Sequence, residues 1–445
     1  MMPEKDGRPL ASRVRILGVA FILGLTALPR FAAAQPQAIV KILYSFSGQN
    51  GDGSVPQNGV IIGANKELYG TTSLGGAWGA GAVFELKPPA TPGGAWTEAV
   101  IYSFPSGSGY PNALTLGPNG ALYGTTNTQR EQRATGWGTV FDLKPPATAG
   151  GTWTGTVIHN FTPSGDGLDP VGALVMGKDG VLYGTTTHGG TGRCTQVYGG
   201  YAGCGTVFDL RRLADGSWGE GVLYSFQGRI DQHEDGLTPQ GLVMGEDGIL
   251  YGGTYNGGSA DFGTAFALDP PAVAGGAWTE TVIHNFGLTY GDCIRPNSTP
   301  VMGTNGTIYG GSLGPNGTGG VFMLTPPAAG GEWPEVTIWY PGQSPGGLGF
   351  YPGGLVSGAA GALYGTAQQG GIDCGETGCG LVFELSPAAN GTWIETVLHE
   401  FTGQNGDGAT PYPSSTLAVG ANEAIYGTTT AGGTAGLGVV FELDR

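Results

Sequence analysis

One phrase recurs seven times along this chain of 445 residues, and it constrains the fold more than any other feature. It runs Leu/Ile-Tyr-Gly, then small polar residues and glycines, then Val/Ala-Phe-x-Leu. The Tyr-Gly pairs are Tyr69-Gly70, Tyr123-Gly124, Tyr183-Gly184, Tyr251-Gly252, Tyr309-Gly310, Tyr364-Gly365 and Tyr426-Gly427. The matching aromatics are Phe84, Phe141, Phe208, Phe266, Phe322, Phe383 and Phe441. A tryptophan then opens a further apolar run at Trp96, Trp153, Trp218, Trp278, Trp333 and Trp393. A period of roughly sixty residues with no helical pattern inside it means tandem supersecondary units that bury their faces against each other.

Each unit divides into four strand-length runs between Gly, Pro, Asn and Asp turns. In the fourth unit these are 241–245, 249–254, 264–268 and 278–286, here lettered a to d. Four short antiparallel strands per repeat is the pattern of a propeller blade, so the predicted fold is all-β, a seven-bladed β-propeller. The 89 glycines and 30 prolines would suggest low complexity without a period; here they fit the turns. The last unit stops after strand c, at Val439-Val440-Phe441-Glu442-Leu443, whereas residues 38–46 are a strand d with no unit of their own. The N-terminal strand is therefore expected to complete the last blade, close the ring and remove an open sheet edge.

The Leu-Tyr-Gly-Thr-Thr, Gly-Gly and Gly-x-Val-Phe-x-Leu phrases resemble those of the bacterial GloVer-repeat, or "choice-of-anchor", proteins, across essentially all the chain after its first segment. The resemblance implies an exported repeat protein and is nearly silent on activity. Many relatives carry a C-terminal surface anchor; this chain, ending within a blade, looks like an unanchored member.

Residues 1–34 read as a signal peptide: a basic start at Lys5, Arg8, Arg13 and Arg15, an apolar stretch from Ile16 to Leu28, and a small-residue cleavage site at Ala32-Ala33-Ala34. Residues 35–445 would then be one propeller domain, periplasmic or extracellular, with no membrane insertion once the signal is removed. The full chain has net charge −16; without residues 1–34 it keeps 13 basic against 32 acidic residues, or −19. So acidic a chain has no electrostatic footprint for nucleic acid. A monomer is expected.

Alternating strands place the d–a and b–c loops on one face and the a–b and c–d turns on the other. Near-identical turns such as Gly117-Pro118-Asn119-Gly120 mark the second face as structural. The first carries the length variation: Thr185 to Gly205 is far longer than Gly311 to Gly319. Function tends to collect on such loops. Ligand-binding candidates on it are His188, Arg193, Tyr198, Tyr201, Asp231, His233, Tyr255, Tyr290, Asp292, Arg295, Phe350 and Tyr351, with Tyr110, Trp137, Arg130 and Tyr412 near them. His159, His284 and His399 occupy a position where other units carry Tyr or Trp and read as packing. Asp-Gly-x-x-Pro recurs in the d–a loops at Asp52, Asp166, Asp235 and Asp407, and reads as a turn: Asp bonding the backbone two residues on, Gly at positive φ, Pro setting the next strand. A calcium-binding ring is the alternative, although each loop offers only one or two carboxylates.

The cysteines pair by proximity in an exported protein as Cys194–Cys204 and Cys374–Cys379, leaving Cys293 as a buried thiol. No nucleophile elbow, zinc-protease helix or phosphate-binding loop occurs, and no cofactor or metal is implied. These readings lead to a binding or scaffold module, its partner a carbohydrate or a protein. A polysaccharide-active hydrolase or lyase using loop Asp, Glu, His or Tyr is the first alternative, and a structural surface protein the second.

Overall fold

The computed structural model describes residues 38–444 apart from 128–135, 149, 164, 195–202, 229–233, 274, 290, 315–317, 329, 341–349, 372–373 and 414. Seven antiparallel blades follow one another, each of four strands in the order a-b-c-d. The fourth consists of Leu237–Met244, Leu250–Asn256, Thr264–Asp269 and Thr279–Asn285. Strand a there begins well before the predicted Gly241, because Leu237 already pairs with Asn256 and a bulge between Pro239 and Leu242 bends the chain inward.

The seventh blade is closed by the N-terminus. Ile39–Ser45 lies antiparallel to Val439–Asp444, from Ile39 opposite Asp444 to Ser45 opposite Val439. The Phe46 amide donates to the Gly438 carbonyl at 3.0 Å, continuing the ladder. The expected ring closure is thus present.

The repeated residues have repeated jobs. The glycine of each Tyr-Gly pair faces the phenylalanine of strand c: Gly252 is in register with Phe266, and a Cβ on it would stand 2.4 Å from the ring's Cζ. A Gly252→Ala change should therefore cost about 1–3 kcal/mol, the usual range for overpacking, read as a lower urea midpoint. An unchanged midpoint would mean the ring can move aside.

Blades meet through aromatic edges. Tyr224 packs on Phe226, and Phe226 on Phe266 of the next blade, both at 5.1 Å. Nearer the a–b and c–d turns, the Tyr of strand b meets the Trp of the following blade, as in Tyr183–Trp278 at 5.9 Å and Trp96–Tyr426 at 6.3 Å. Edge-to-face geometry suits the ring quadrupoles and fills the wedge between sheets.

Most blade boundaries also bury acids. Tyr224 donates to Asp235 at 2.6 Å, with Glu280 of the next blade adding to the charge around the phenol. His159 lies 3.3 Å from Asp166, His399 3.3 Å from Asp407, and His284 3.3 Å from Glu335. The three histidines are packing groups that stand beside a carboxylate, as their interchange with Tyr and Trp indicated.

The Asp-Gly-x-x-Pro turn follows the reading made from sequence only in part. The aspartate reaches back: Asp52 accepts from the Ser47 amide and hydroxyl, both at 2.7 Å, and Asp407 from the Thr402 amide at 2.8 Å as well as from the amide of Gly408 next to it at 2.8 Å. It thereby caps the end of strand d, where the chain turns and backbone N–H groups lack ladder partners. Gly167 and Gly236 take positive φ, at 113° and 93°, as read from the sequence; Gly53 and Gly408 do not, and are small because a Cβ would meet Thr72 at 2.5 Å and Thr429 at 2.7 Å.

Both disulfides are formed as expected, with Cα separations of 5.2 Å for Cys194–Cys204 and 5.3 Å for Cys374–Cys379. Cys293 is a free, buried thiol.

Candidate functional site

In six d–a loops the residue before the proline, which is not a glycine, has positive φ. Val55, Asp169, Thr238, Arg295, Tyr351 and Thr410 all have φ between 50° and 60°. A left-handed conformation is uncommon for residues with a Cβ and costs roughly 1–3 kcal/mol. What holds each one is a hydrogen bond across the blade boundary. The amides of Val55, Asp169, Thr238, Arg295, Tyr351 and Thr410 donate to the carbonyls of Leu437, Trp137, Cys204, Phe262, Thr318 and Cys379, in each case in the b–c loop of the preceding blade.

The residue after the proline stands at the centre of the ring, because strand a is the innermost, whether or not its loop carries this latch. Gln57, Asn112, Gln240 and Asn297 stand there in four blades, and Tyr412 in the seventh. Together with Tyr110, Gln368 and Asp169 they line a cavity of about 500 Å³ at the mouth of the central channel, on the d–a and b–c face. The volume is within the range of small-molecule sites.

The amides divide by task. Asn112 is buried; its amide group donates to Thr125 at 2.9 Å and to the Pro170 carbonyl of the next blade at 2.8 Å, and its oxygen accepts from Asn127 at 3.1 Å. Asn58 does the same with Thr71 and the Pro111 carbonyl. These two tie neighbouring inner strands together. The side-chain oxygen of Asn297, by contrast, is buried without a hydrogen-bond partner, which is costly unless a ligand or water supplies a donor. Tyr110 is half-buried and Tyr412 exposed, so each offers the cavity part of a ring.

Of the residues singled out from sequence, Tyr110 and Tyr412 reach this mouth. His188 stands beside it: its Nδ1 is 2.8 Å from the Thr187 hydroxyl and 3.7 Å from Asp169. Arg193 is exposed on the b–c loop of the third blade, next to Cys194. Arg295 is taken up by the boundary between the fourth and fifth blades, its guanidinium 5.3 Å from the Tyr255 ring and 5.9 Å from the Phe262 ring while it donates to Asn256. Asp292 caps its loop by accepting from the Thr289 amide at 2.6 Å. Tyr351 serves as a backbone latch, and Phe350 opens a strand opposite Gln369. Tyr198, Tyr201, Asp231, His233, Tyr290 and Arg130 lie outside the described residues. Gln57, Gln240, Asn297, Gln368 and Asp169 were missed. The signal for most of them was available: the position after each recurring proline, on the strand that must be innermost.

Electrostatics near the loops follow burial. Desolvation works to raise the Asp407 carboxyl, but hydrogen bonds from His399 and the Thr402 and Gly408 amides prevail and hold it low. Burial lowers the affinity of His159 for its proton despite Asp166. Burial, with Glu335 adding to it, pushes the Cys293 thiol up to about 12, which leaves it protonated. Among the described residues no group of three or more His, Cys, Asp or Glu is arranged to hold a metal ion.

A seven-bladed β-propeller with a polar, amide-rich channel mouth is what the fold and the site define. Residues 30–198 match the Gloeobacter/Verrucomicrobia repeat, so the chain carries the repeat its Leu-Tyr-Gly-Thr-Thr phrases resembled. No curated protein matches it. Among solved structures, the polysaccharide lyase Uly1 aligns at 12% identity over 90% of this chain and 92% of that one, with a TM-score of 0.50. PorZ, a surface component of the type-IX secretion system of Porphyromonas gingivalis, aligns at 14% identity over 86% of this chain and 46% of that one, with a TM-score of 0.47. A Dyadobacter fermentans protein of unknown function aligns at 13% identity over 92% and 99%, with a TM-score of 0.45. At these identities the likeness concerns the fold alone.

Proposed function

We propose that the protein is an exported carbohydrate-binding module that takes a neutral sugar at the mouth of its central channel. The observation that carries this reading is the lining of that mouth: Gln57, Gln240, Asn297 and Gln368 supply amides, and Tyr110 and Tyr412 supply ring faces. Amides both donate and accept, matching hydroxyls that do the same. The unpartnered oxygen of Asn297 has a donor to gain from such a ligand. Tyrosine faces provide apolar contact for the C–H side of a sugar ring. Glycoside cleavage would call for two facing carboxylates; among the described lining residues the mouth holds one, Asp169, which faces His188. Both disulfides fit an oxidising compartment, supporting a place outside the cytoplasm.

The test is a glycan array and a polysaccharide-degradation screen on the protein from Gln35 onward. Binding of a neutral glycan is expected, weakened about tenfold or more by Tyr412→Ala or Gln240→Ala, a loss of roughly 1.4 kcal/mol. Asn119→Ala, on the opposite face, should change nothing. Depolymerisation of a bound polysaccharide would overturn the module reading, and an unaffected Tyr412→Ala variant would move the site elsewhere.

A further inference from the structure

The blade boundaries share a pattern of one strand glutamate and one loop aspartate, and one boundary lacks both. Four residues before the His, Tyr or Trp of strand d stands a glutamate in five blades: Glu98, Glu220, Glu280, Glu335 and Glu395. Each has a buried side-chain oxygen; Glu98 lies beside Tyr44 and Asp52, Glu280 beside Tyr224 and Asp235, and Glu335 accepts from the Cys293 amide at 3.0 Å, all on strand d or the d–a loop of the preceding blade. The boundary into the sixth blade keeps Glu395 but has no aspartate in its connecting loop, and the boundary into the last blade has Val40 at this position but keeps the loop acid Asp407.

Between the first and second blades both acids are missing. Gly155 takes the glutamate's place, and the connecting loop is Pro105-Ser106-Gly107-Ser108-Gly109-Tyr110, without the aspartate. The latch is missing too: Tyr110 is not left-handed but is the first residue of strand a, paired with Asn127. Tyr102 leans over the vacated position, so close that a Cβ on Gly155 would stand 2.5 Å from its ring. The result is a crevice of about 450 Å³ between the outer strands of these two blades, separate from the channel mouth.

Its walls are aromatic: Tyr102, Phe104, Trp137, Phe141 and Phe161. Phe104, Phe141 and Phe161 are nearly fully buried, and Phe104 and Phe141 meet edge to face at 5.2 Å. Ser106, Ser108 and Asn160 bring hydroxyl and amide groups, and the described lining holds no Asp, Glu, His, Lys or Arg. From this break in the repeat we infer that the crevice is a second binding site, for a small uncharged aromatic molecule with one hydrogen-bonding substituent. The volume fits a ring compound. The rings offer edges and faces to a further ring. A charged ligand would be desolvated there without a counter-ion. An apolar filling of the vacated position by a large side chain, as Val40 partly provides in the last blade, is not what Gly155 supplies.

Indole and benzamide are suitable probes, titrated into the full protein and followed by saturation-transfer NMR, with methyl glucoside as the sugar control. Both aromatics are expected to bind and the glucoside not to compete. Gly155→Glu restores the residue found at five of the other boundaries and should weaken the probes at least tenfold. Because that change requires Tyr102 to move, Asn160→Trp is the second variant: it plugs the crevice from an exposed position and should have the same effect without disturbing the core. Tyr412→Ala, at the channel mouth, should leave probe binding intact, so this site and the sugar site fail independently. No binding by either aromatic, equal binding by both crevice variants, competition by the glucoside, or loss in Tyr412→Ala would each overturn the inference.

Discussion

A chain beginning at Gly48 should lose cooperative unfolding, or unfold at a much lower urea concentration, although it lacks only one strand of the propeller. That strand, Ile39–Ser45, supplies every hydrogen bond on the outer edge of Val439–Asp444. It also carries Leu43 and Phe46, both buried between the last blade and the first, where Phe46 meets Phe84 at 5.1 Å. Burying two such side chains contributes about 3–6 kcal/mol, a large part of the 5–15 kcal/mol typical of a folded domain. Its loss further removes Tyr44 from Asp52 and Glu98, leaving those acids at a boundary with no phenol. The contact closes a loop of nearly the whole chain, so nothing local replaces it. A single, unshifted transition for the shortened protein would show that the ring is held by the other six boundaries alone.

Much of this architecture was legible because the repeat reports on itself. Tyr251 and Phe266 are separated like Tyr183 and Phe208 in kind if not in distance, so strands b and c could be aligned across units despite loops of unequal length. The spare strand at one end and the missing one at the other then implied the closure. Paired cysteines five and ten residues apart within single loops implied both disulfides.

The channel mouth was harder to see, for a physical reason. Asp-Gly-x-x-Pro had a sufficient explanation as a turn, and that explanation gave the positive φ to glycine. The structure keeps it on Gly167 and Gly236 but puts it also on the residue before proline in all four turns, where the cost is met by a hydrogen bond to another blade, as from Thr238 to Cys204. A contact between residues of different repeats leaves no periodic trace in the residue types it uses: Val, Asp, Thr, Arg and Tyr all occur. Loop length drew the candidates outward, toward Arg193 and Arg295, while the inner strand placed Gln240 and Asn297 at the centre. The crevice at Gly155 could have been found from sequence, since it is where the glutamate column and the aspartate column are both interrupted.

The same column makes stability depend on pH in an unusual direction for a carboxylate-rich protein. Burial, with Asp52 adding to it, raises Glu98 to about 7; burial, with Asp166 and then Asp209, raises Glu220 to about 7; burial, with Asp235, raises Glu280 to about 8. An acid whose folded pKa exceeds its unfolded value near 4.5 binds its proton more tightly in the native state. The stability it contributes is whole below about pH 4.5 and is lost as the pH rises through about 7 to 8. Asp407 has the opposite sign, but its folded pKa is below the usual value, so its loss falls in more acidic solution than this window. His159, buried and preferring to be neutral, opposes the glutamates as the pH drops below its ordinary value near 6.5. Three glutamates against one histidine leave the maximum on the acidic side of neutrality. The melting temperature should therefore fall steadily between about pH 6 and pH 8.5, in buffers of constant ionic strength. Glu280→Gln keeps the shape of the side chain and removes the titration. It should melt a few degrees higher than the parent at pH 8, where each kcal/mol is worth no more than roughly 2–4 °C in a chain of this length, and no higher at pH 5. A melting temperature that is flat or rising from pH 6 to pH 8.5, or a Glu280→Gln variant less stable at pH 8, would show that these carboxylates are ionised in the native blades and satisfied by solvent.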